Sequence, residues 1–179
     1  MQIVEVKDAE QVKDFLAVNA IMNAANPCYI RALENEVNEV FDPVKNKNFK
    51  WGQAKRWVAY TDDGLLVGRI AAFTNDKYIN KGTDFKTGGV GFFDCINDQA
   101  TANLIFDTAK EWLFSMGVEA MDGPINFGDR DKWWGLMVEG FDKEPMYGMS
   151  FNPSYYQALF EGYGFKNYYN QYYYYLNVE

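Results

Sequence analysis

Histidine is absent from all 179 residues. That removes Ser-His-Asp and Cys-His nucleophilic systems, His-ligated zinc and imidazole acid–base chemistry. Any chemistry must rest on carboxylates, tyrosine, lysine, cysteine or oriented backbone amides. Cysteine is scarce as well. Cys28 and Cys95 are isolated thiols with no CxxC spacing and no disulfide-dense pattern, which fits a cytoplasmic protein with reduced thiols and no metal site. No apolar run approaches the roughly 18 residues of a membrane helix. The opening MQIVEVKDAEQVKDF lacks the basic-then-apolar pattern of a signal peptide. Positive charge is also in short supply: 17 Lys and Arg face 25 Asp and Glu, a formal net charge of -8. A general nucleic-acid binder is therefore disfavoured, because phosphate affinity comes mainly from clustered cations. A small anionic ligand is not, since backbone amides hold anions without net positive charge.

What the chain has in abundance is apolar and aromatic surface, 48% and 18% of its residues. That is the composition of a folded core, and the length suits one domain over residues 1–179. QIVEV reads as a first strand. Asp8 caps a helix carrying Val12, Phe15, Leu16, Asn19 and Ala20 on one face. Asn26 and Pro27 suit the N-cap and first position of a second helix, with Tyr29, Leu33, Val37, Val40 and Phe41 at helical spacing. Glu34, Glu36 and Glu39 fall largely off that stripe and read as a solvated face.

RWVAYTDDGLLVGRIAAF is a hairpin, its two strand-like runs joined by Asp62-Asp63-Gly64. The cluster Gly88 to Gly91 reads as loop, because it precedes a strand and opens no helix. GFFDCINDQATANLIFDTAKEWLFSMG is a strand running straight into an amphipathic helix. Ala102, Ile105, Phe106, Ala109, Trp112, Leu113 and Met116 form its stripe, and Gly117 ends it. VEAMDGPI makes another strand, NPSYYQALFEGYGF a late helix, and the Tyr-rich stretch Tyr168 to Leu176 a last strand. Trp133-Trp134 reads as a pair packing one ring inward and one outward. The order predicts an α/β (α+β) protein with one mixed sheet and helices on both faces.

This order, with DDGLLVGRIAAF, GFFDCINDQATANLIFDTAKEWLFSMG and YYQALFEGYGF in sequence, resembles the GNAT superfamily of acyl-CoA N-acyltransferases over most of the chain. The resemblance implies a mostly antiparallel sheet and a cofactor, acetyl-CoA or another acyl-CoA, whose pyrophosphate lies on the amides opening the strand-following helix. The family pattern Q/R-x-x-G-x-G/A aligns with Asn97, Ala100 and Ala102, so Asn97, Asp98, Gln99, Ala100, Thr101 and Ala102 become the cradle. A helix N-terminus carries unpartnered amides and a favourable dipole for such an anion. Asn97 or Asp98 serves equally well as an ordinary N-cap. A backbone N–H between Phe93 and Cys95 would polarise the thioester.

The family's tyrosine acid, four residues before the Gly of the Gly-Phe pair, is Phe160 in this sequence. Tyr156 and Tyr163 are its possible substitutes, and Asp94 and Glu119 are base candidates beside the cleft. Two functions follow. One is acyl transfer to the amine of a small molecule or peptide. The other is a catalytically inactive GNAT-fold binding or interaction module. The Tyr-rich stretch, with rings on both faces, asks for a cover from a second copy or a partner domain.

Overall fold

A computed structural model describes residues 1–77, 85–128, 132–174 and 176. Five strands form one sheet: β1 (Gln2–Glu5), β2 (Gly52–Tyr60), β3 (Leu66–Asn75), β4 (Thr87–Cys95) and β5 (Ala120–Asp122). Their order across the sheet is their order along the chain. The first three pairings are antiparallel and β4–β5 is parallel, so the sheet is mixed and mostly antiparallel. The β2–β3 hairpin turns where the sequence predicts, and Gly64 supplies the positive φ of 81° that the turn requires.

Helices cover both faces. On one lie α1 (Ala9–Asn23) and α2 (Glu34–Val40). Asp8 and Gln11 close a reciprocal capping box at the start of α1. On the other face lie α3 (Gln99–Ser115) and α4 (Tyr156–Tyr163). The sheet thus divides two cores. Phe15, Val18, Val37, Phe73 and Phe127 fill the α1–α2 side. Phe93, Phe106, Leu113, Tyr156 and Phe160 fill the other, where Phe93 stacks on Phe106 with centroids 4.4 Å apart.

Three local expectations are corrected. The second helix begins at Glu34, not Pro27. Asn26 is spent on a turn instead: its Oδ1 accepts the Cys28 N–H and its Nδ2 donates to the Phe141 carbonyl. Glu34 and Glu36 sit in the first turn of α2, where the helix dipole favours acids. The glycine cluster lies inside β4, not in a loop. Side chains from both faces press on it; a Cβ on Gly88 would meet Leu113 and one on Gly89 would meet Ile125. Finally, no strand forms among the described residues of the Tyr-rich stretch, which excludes Tyr175 and 177–179. A strand needs a ladder partner as well as propensity. The rings contact one another instead, Tyr168 on Tyr169 and Tyr172 near Tyr174, and Tyr168 and Tyr174 remain 89% and 88% exposed.

The course of β4 positions the site. Arg69 pairs with Asp94 and Ala71 with Gly91, so Phe92 and Phe93 oppose Ile70 alone. This is a bulge, and Phe92 takes a φ of 48° there. On the other edge β5 registers only with Thr87 to Gly89. The Ile125 N–H then reaches the Val90 carbonyl at 2.8 Å. Gly91 lies so close to the Ile125 carbonyl oxygen that no side chain fits between them. Beyond Gly91, no described strand pairs with the outer edge of β4.

Candidate active site

The bulge turns Asp94 toward α1, into a buried polar network. The Arg69 Nε donates to Asp94 Oδ2 at 2.6 Å, and Arg69 also donates to the Phe15 carbonyl. Asn19 Nδ2 reaches both carboxylate oxygens at 3.0 and 3.1 Å. Tyr29 Oη donates to Asn19 Oδ1 at 2.7 Å. From the opposite face Tyr156 Oη donates to Asp94 Oδ1 at 3.0 Å. Burial pushes the Asp94 carboxyl up, while Arg69, Asn19 and Tyr156 pull it back down. Burial, and then the Asp94 charge, raises Tyr156 well above the usual phenol range, so its hydroxyl carries its proton at neutral pH.

Cys95 is the last residue of β4. Because the Ile96 N–H bonds to Val67 of β3, the alternation of a strand aims both backbone polar groups of Cys95 at the open edge. Two adjacent tyrosines meet them. The Cys95 N–H donates to Tyr156 Oη at 2.9 Å, and Tyr155 Oη donates to the Cys95 carbonyl at 2.8 Å. The Cys95 thiol is buried and pushed up to about 12, by burial first and then by Asp98 and Asp94. Phe93, on the same side, is packed into the α3–α4 core.

The start of α3 is capped by Asp98, whose carboxylate accepts the Thr101 N–H at 2.7 Å. The Thr101 side chain first, and then its N–H, hold the Asp98 carboxyl below its usual range. The amides of Gln99 and Ala100 have no intrahelical acceptor. Gln99 turns its side chain to α4, donating to Asn103 Oδ1 and the Leu159 carbonyl. Ala102 is buried, and Asn97 is exposed next to the cap. A hollow of about 300 Å³ lies against this turn, lined by Ala100, Thr101, Leu104, Ile96, Val67 and Asp62 among others. The residues fit an anionic ligand in part: two free helix amides and an adjacent hollow favour it, and the Asp98 charge opposes it.

Of the sequence-predicted residues, the fold brings Asp94, Cys95 and Tyr156 together. It places Tyr163 elsewhere, its hydroxyl on Asp107 of α3 at 2.7 Å. Phe160 is buried, 5.0 Å from both Phe93 and Phe106. Glu119 is exposed. Trp133 packs against Phe92, while Trp134 lies by Tyr169. Arg69, Asn19, Tyr29 and Tyr155 are additional members. Arg69 had a signal: it is the one cation inside the apolar run LLVGRIAAF, and GFFDCI holds a single acid.

No family model matches the chain. It is 31% identical over 156 residues to a bacterial ceramide synthase of Caulobacter vibrioides, covering 87% of this chain and 40% of that protein. It is 31% identical over 155 residues to protein YghO of Escherichia coli, covering 86% and 38%. The chain thus spans about two fifths of the length of the curated relatives it matches. Among solved structures it is similar to the aminoglycoside 6'-N-acetyltransferase AAC(6')-Ig of Acinetobacter haemolyticus, with a TM-score of 0.58, 14% identity and all of both chains covered. It is likewise similar to AAC(6')-Iy in complex with a CoA bisubstrate analog, with a TM-score of 0.56, 10% identity and 99% and 98% covered. The mixed sheet flanked by helices matches these structures over nearly their whole length, and the chain has the fold of the GNAT acetyltransferases.

Proposed function

We propose that this chain acts as one GNAT-like unit over residues 1–179, transferring an acetyl or acyl group from acyl-CoA to an amine. One observation carries the reading: past Gly91 no described strand pairs with the outer edge of β4, which runs directly into a helix N-terminus. Bound acyl-CoA would supply an activated thioester carbonyl. The Gln99 and Ala100 amides, with Asn97, Asp98, Thr101 and Ala102 around them, would hold its pyrophosphate. Backbone groups of Phe93 to Cys95 would run beside its arm. In the transfer a C–N bond forms and the C–S bond breaks. Tyr156 returns a proton to the leaving sulfur and solvent takes the proton of the amine. Asp94, ion-paired with Arg69, orients Tyr156 in this reading; Tyr163, held on Asp107, ranks second as the acid.

The relatives support one acceptor class. A ceramide is an amide of a long-chain amino alcohol, and the structural neighbours acetylate amines of aminoglycosides. A long-chain amino alcohol is the favoured acceptor and a fatty acyl group the favoured donor. The two free thiols, Cys28 and Cys95, suit a cytoplasmic setting. No helix among the described residues is long and apolar enough to cross a membrane. The exposed tyrosines at 168–174 support a cover from a second copy or partner domain. Calorimetric titration with acetyl-CoA, a long-chain acyl-CoA and free CoA tests the reading. Micromolar binding, with amide formation on sphinganine, is expected. Absence of heat at millimolar ligand points to the non-catalytic binding module.

A further inference from the structure

The free edge of β4 is already occupied by the protein itself. Past Gly91 no described strand lies on that edge, yet the Cys95 N–H and carbonyl are both bonded, to Tyr156 and Tyr155. The two hydroxyls supply one acceptor and one donor, the complement that a neighbouring strand or an extended amide would present. They come from consecutive residues at the mouth of α4, with Tyr156 fully buried and Tyr155 half-buried. We propose that Tyr155 and Tyr156 form an internal stand-in for an extended amide ligand, closing the β4 edge until such a ligand displaces their hydroxyls.

This inference rests on the acyl-CoA reading above. The arm of CoA is an extended chain with two secondary amides, and it carries the donor and acceptor needed to replace both phenols at Cys95. Displacement has a cost, because each ligand bond is exchanged for an existing internal one. The net gain at Cys95 is therefore small, and affinity comes from the rest of the ligand. Displacement also has a product. Once Tyr156 no longer accepts the Cys95 N–H, its hydroxyl is free to turn toward a leaving sulfur while Asp94 remains beside it. Closure and proton delivery are two positions of one side chain. The half-buried Tyr155, whose hydroxyl is bonded to the Cys95 carbonyl, serves closure alone.

The test compares CoA with 3',5'-ADP, which lacks the arm, by calorimetry on wild type, Tyr155→Phe and Tyr156→Phe. Removing one internal bond should tighten CoA binding about two- to tenfold in Tyr155→Phe, with 3',5'-ADP affinity unchanged. Hydrogen exchange at the Cys95 amide gives a second measurement, independent of how well Tyr156→Phe folds. In wild type, CoA should alter protection at Cys95, whereas 3',5'-ADP should not. Wild type that binds CoA, with Tyr155→Phe equal or weaker and Cys95 exchange unmoved, overturns the closure and leaves the acyl-CoA reading standing. Failure of all three proteins to bind CoA overturns both. Binding by Tyr155→Phe but not by wild type supports closure in its strongest form.

Discussion

The Tyr156 hydroxyl stands 3.0 Å from Asp94 Oδ1 and 2.9 Å from the Cys95 amide, accepting from one neighbour while donating to the other. Replacing Tyr156 with Phe leaves the buried Cys95 N–H without its acceptor and Asp94 Oδ1 with Asn19 as its remaining donor. The expected loss is about 1–3 kcal/mol, the usual cost of orphaning buried polar groups. Urea denaturation should show a lower midpoint with an unchanged slope. An unaltered midpoint would mean that water already serves both groups.

The first turn of α3 predicts a trade. Ala100→Gly removes the methyl beside the free amides and should tighten CoA binding, while costing the helix up to about 1 kcal/mol. Calorimetry and thermal denaturation on the same preparation read the two effects separately. Equal or weaker CoA affinity in a folded variant argues against a pyrophosphate at this turn.

Asp98 links the same turn to pH. Its folded pKa is depressed by hydrogen bonding to Thr101, from the side chain first and then the N–H. Its stabilisation is therefore present above the unfolded value of about 3.9 and is lost as pH falls through the folded value. Asn caps a helix about as well as Asp. Asp98→Asn should keep near-neutral stability, lose this acid-dependent component and bind CoA more tightly at low salt. An acid-unfolding curve identical to wild type would detach the cap from the titration.

The two thiols should behave differently toward a reagent. Cys95 is buried, with its thiol raised to about 12, whereas Cys28 is half-buried in a turn. At pH 8 a thiol-reactive dye is expected to label Cys28 within minutes and Cys95 only after denaturant is added. A raised thiol pKa also means that stability from this group is full below the unfolded value of about 8.5 and declines as pH rises above it. Rapid labelling of both thiols under native conditions would show that the α3–α4 core opens easily.

The exposed tyrosines at 168–174 predict association. Fully burying a large apolar side chain is worth roughly 1.5–3 kcal/mol, and Tyr tolerates a wet hydroxyl at an interface. Sedimentation velocity should show a second copy joining as concentration rises. Replacing Tyr168 and Tyr174 with Ser should abolish this. A monomer at every concentration removes the self-association half of the idea.

The sequence was legible where local and long-range signals agreed. Asp62-Asp63-Gly64 has only one good turn chemistry, and the stripe from Ala102 to Met116 has only one good period. Both elements appear as expected. Asn26-Pro27 carried a helix-start signal too, but Asn26 found a partner 115 residues away in Phe141, which no local pattern encodes. The Tyr-rich stretch had strand propensity without a ladder partner. At the site, Asp94 and Tyr156 were visible as residue types, yet their meeting depends on the Phe92 bulge and on the shortness of β5. Tyr155 gave no separate signal, because its use comes from lying one residue before Tyr156 at the mouth of α4.

One consequence of the two-core architecture lies in the bonds that cross the sheet. Asn19 belongs to one side, Tyr156 to the other, and Asp94 receives both. The carboxylate is a bolt through the only layer separating the two halves, placed where β5 has turned away. A molecule that displaced Tyr156 from Cys95 would work against this bolt, giving up cohesion between the halves in return for contacts of its own. The same residues that keep the empty fold whole determine how much of that wholeness a guest must borrow.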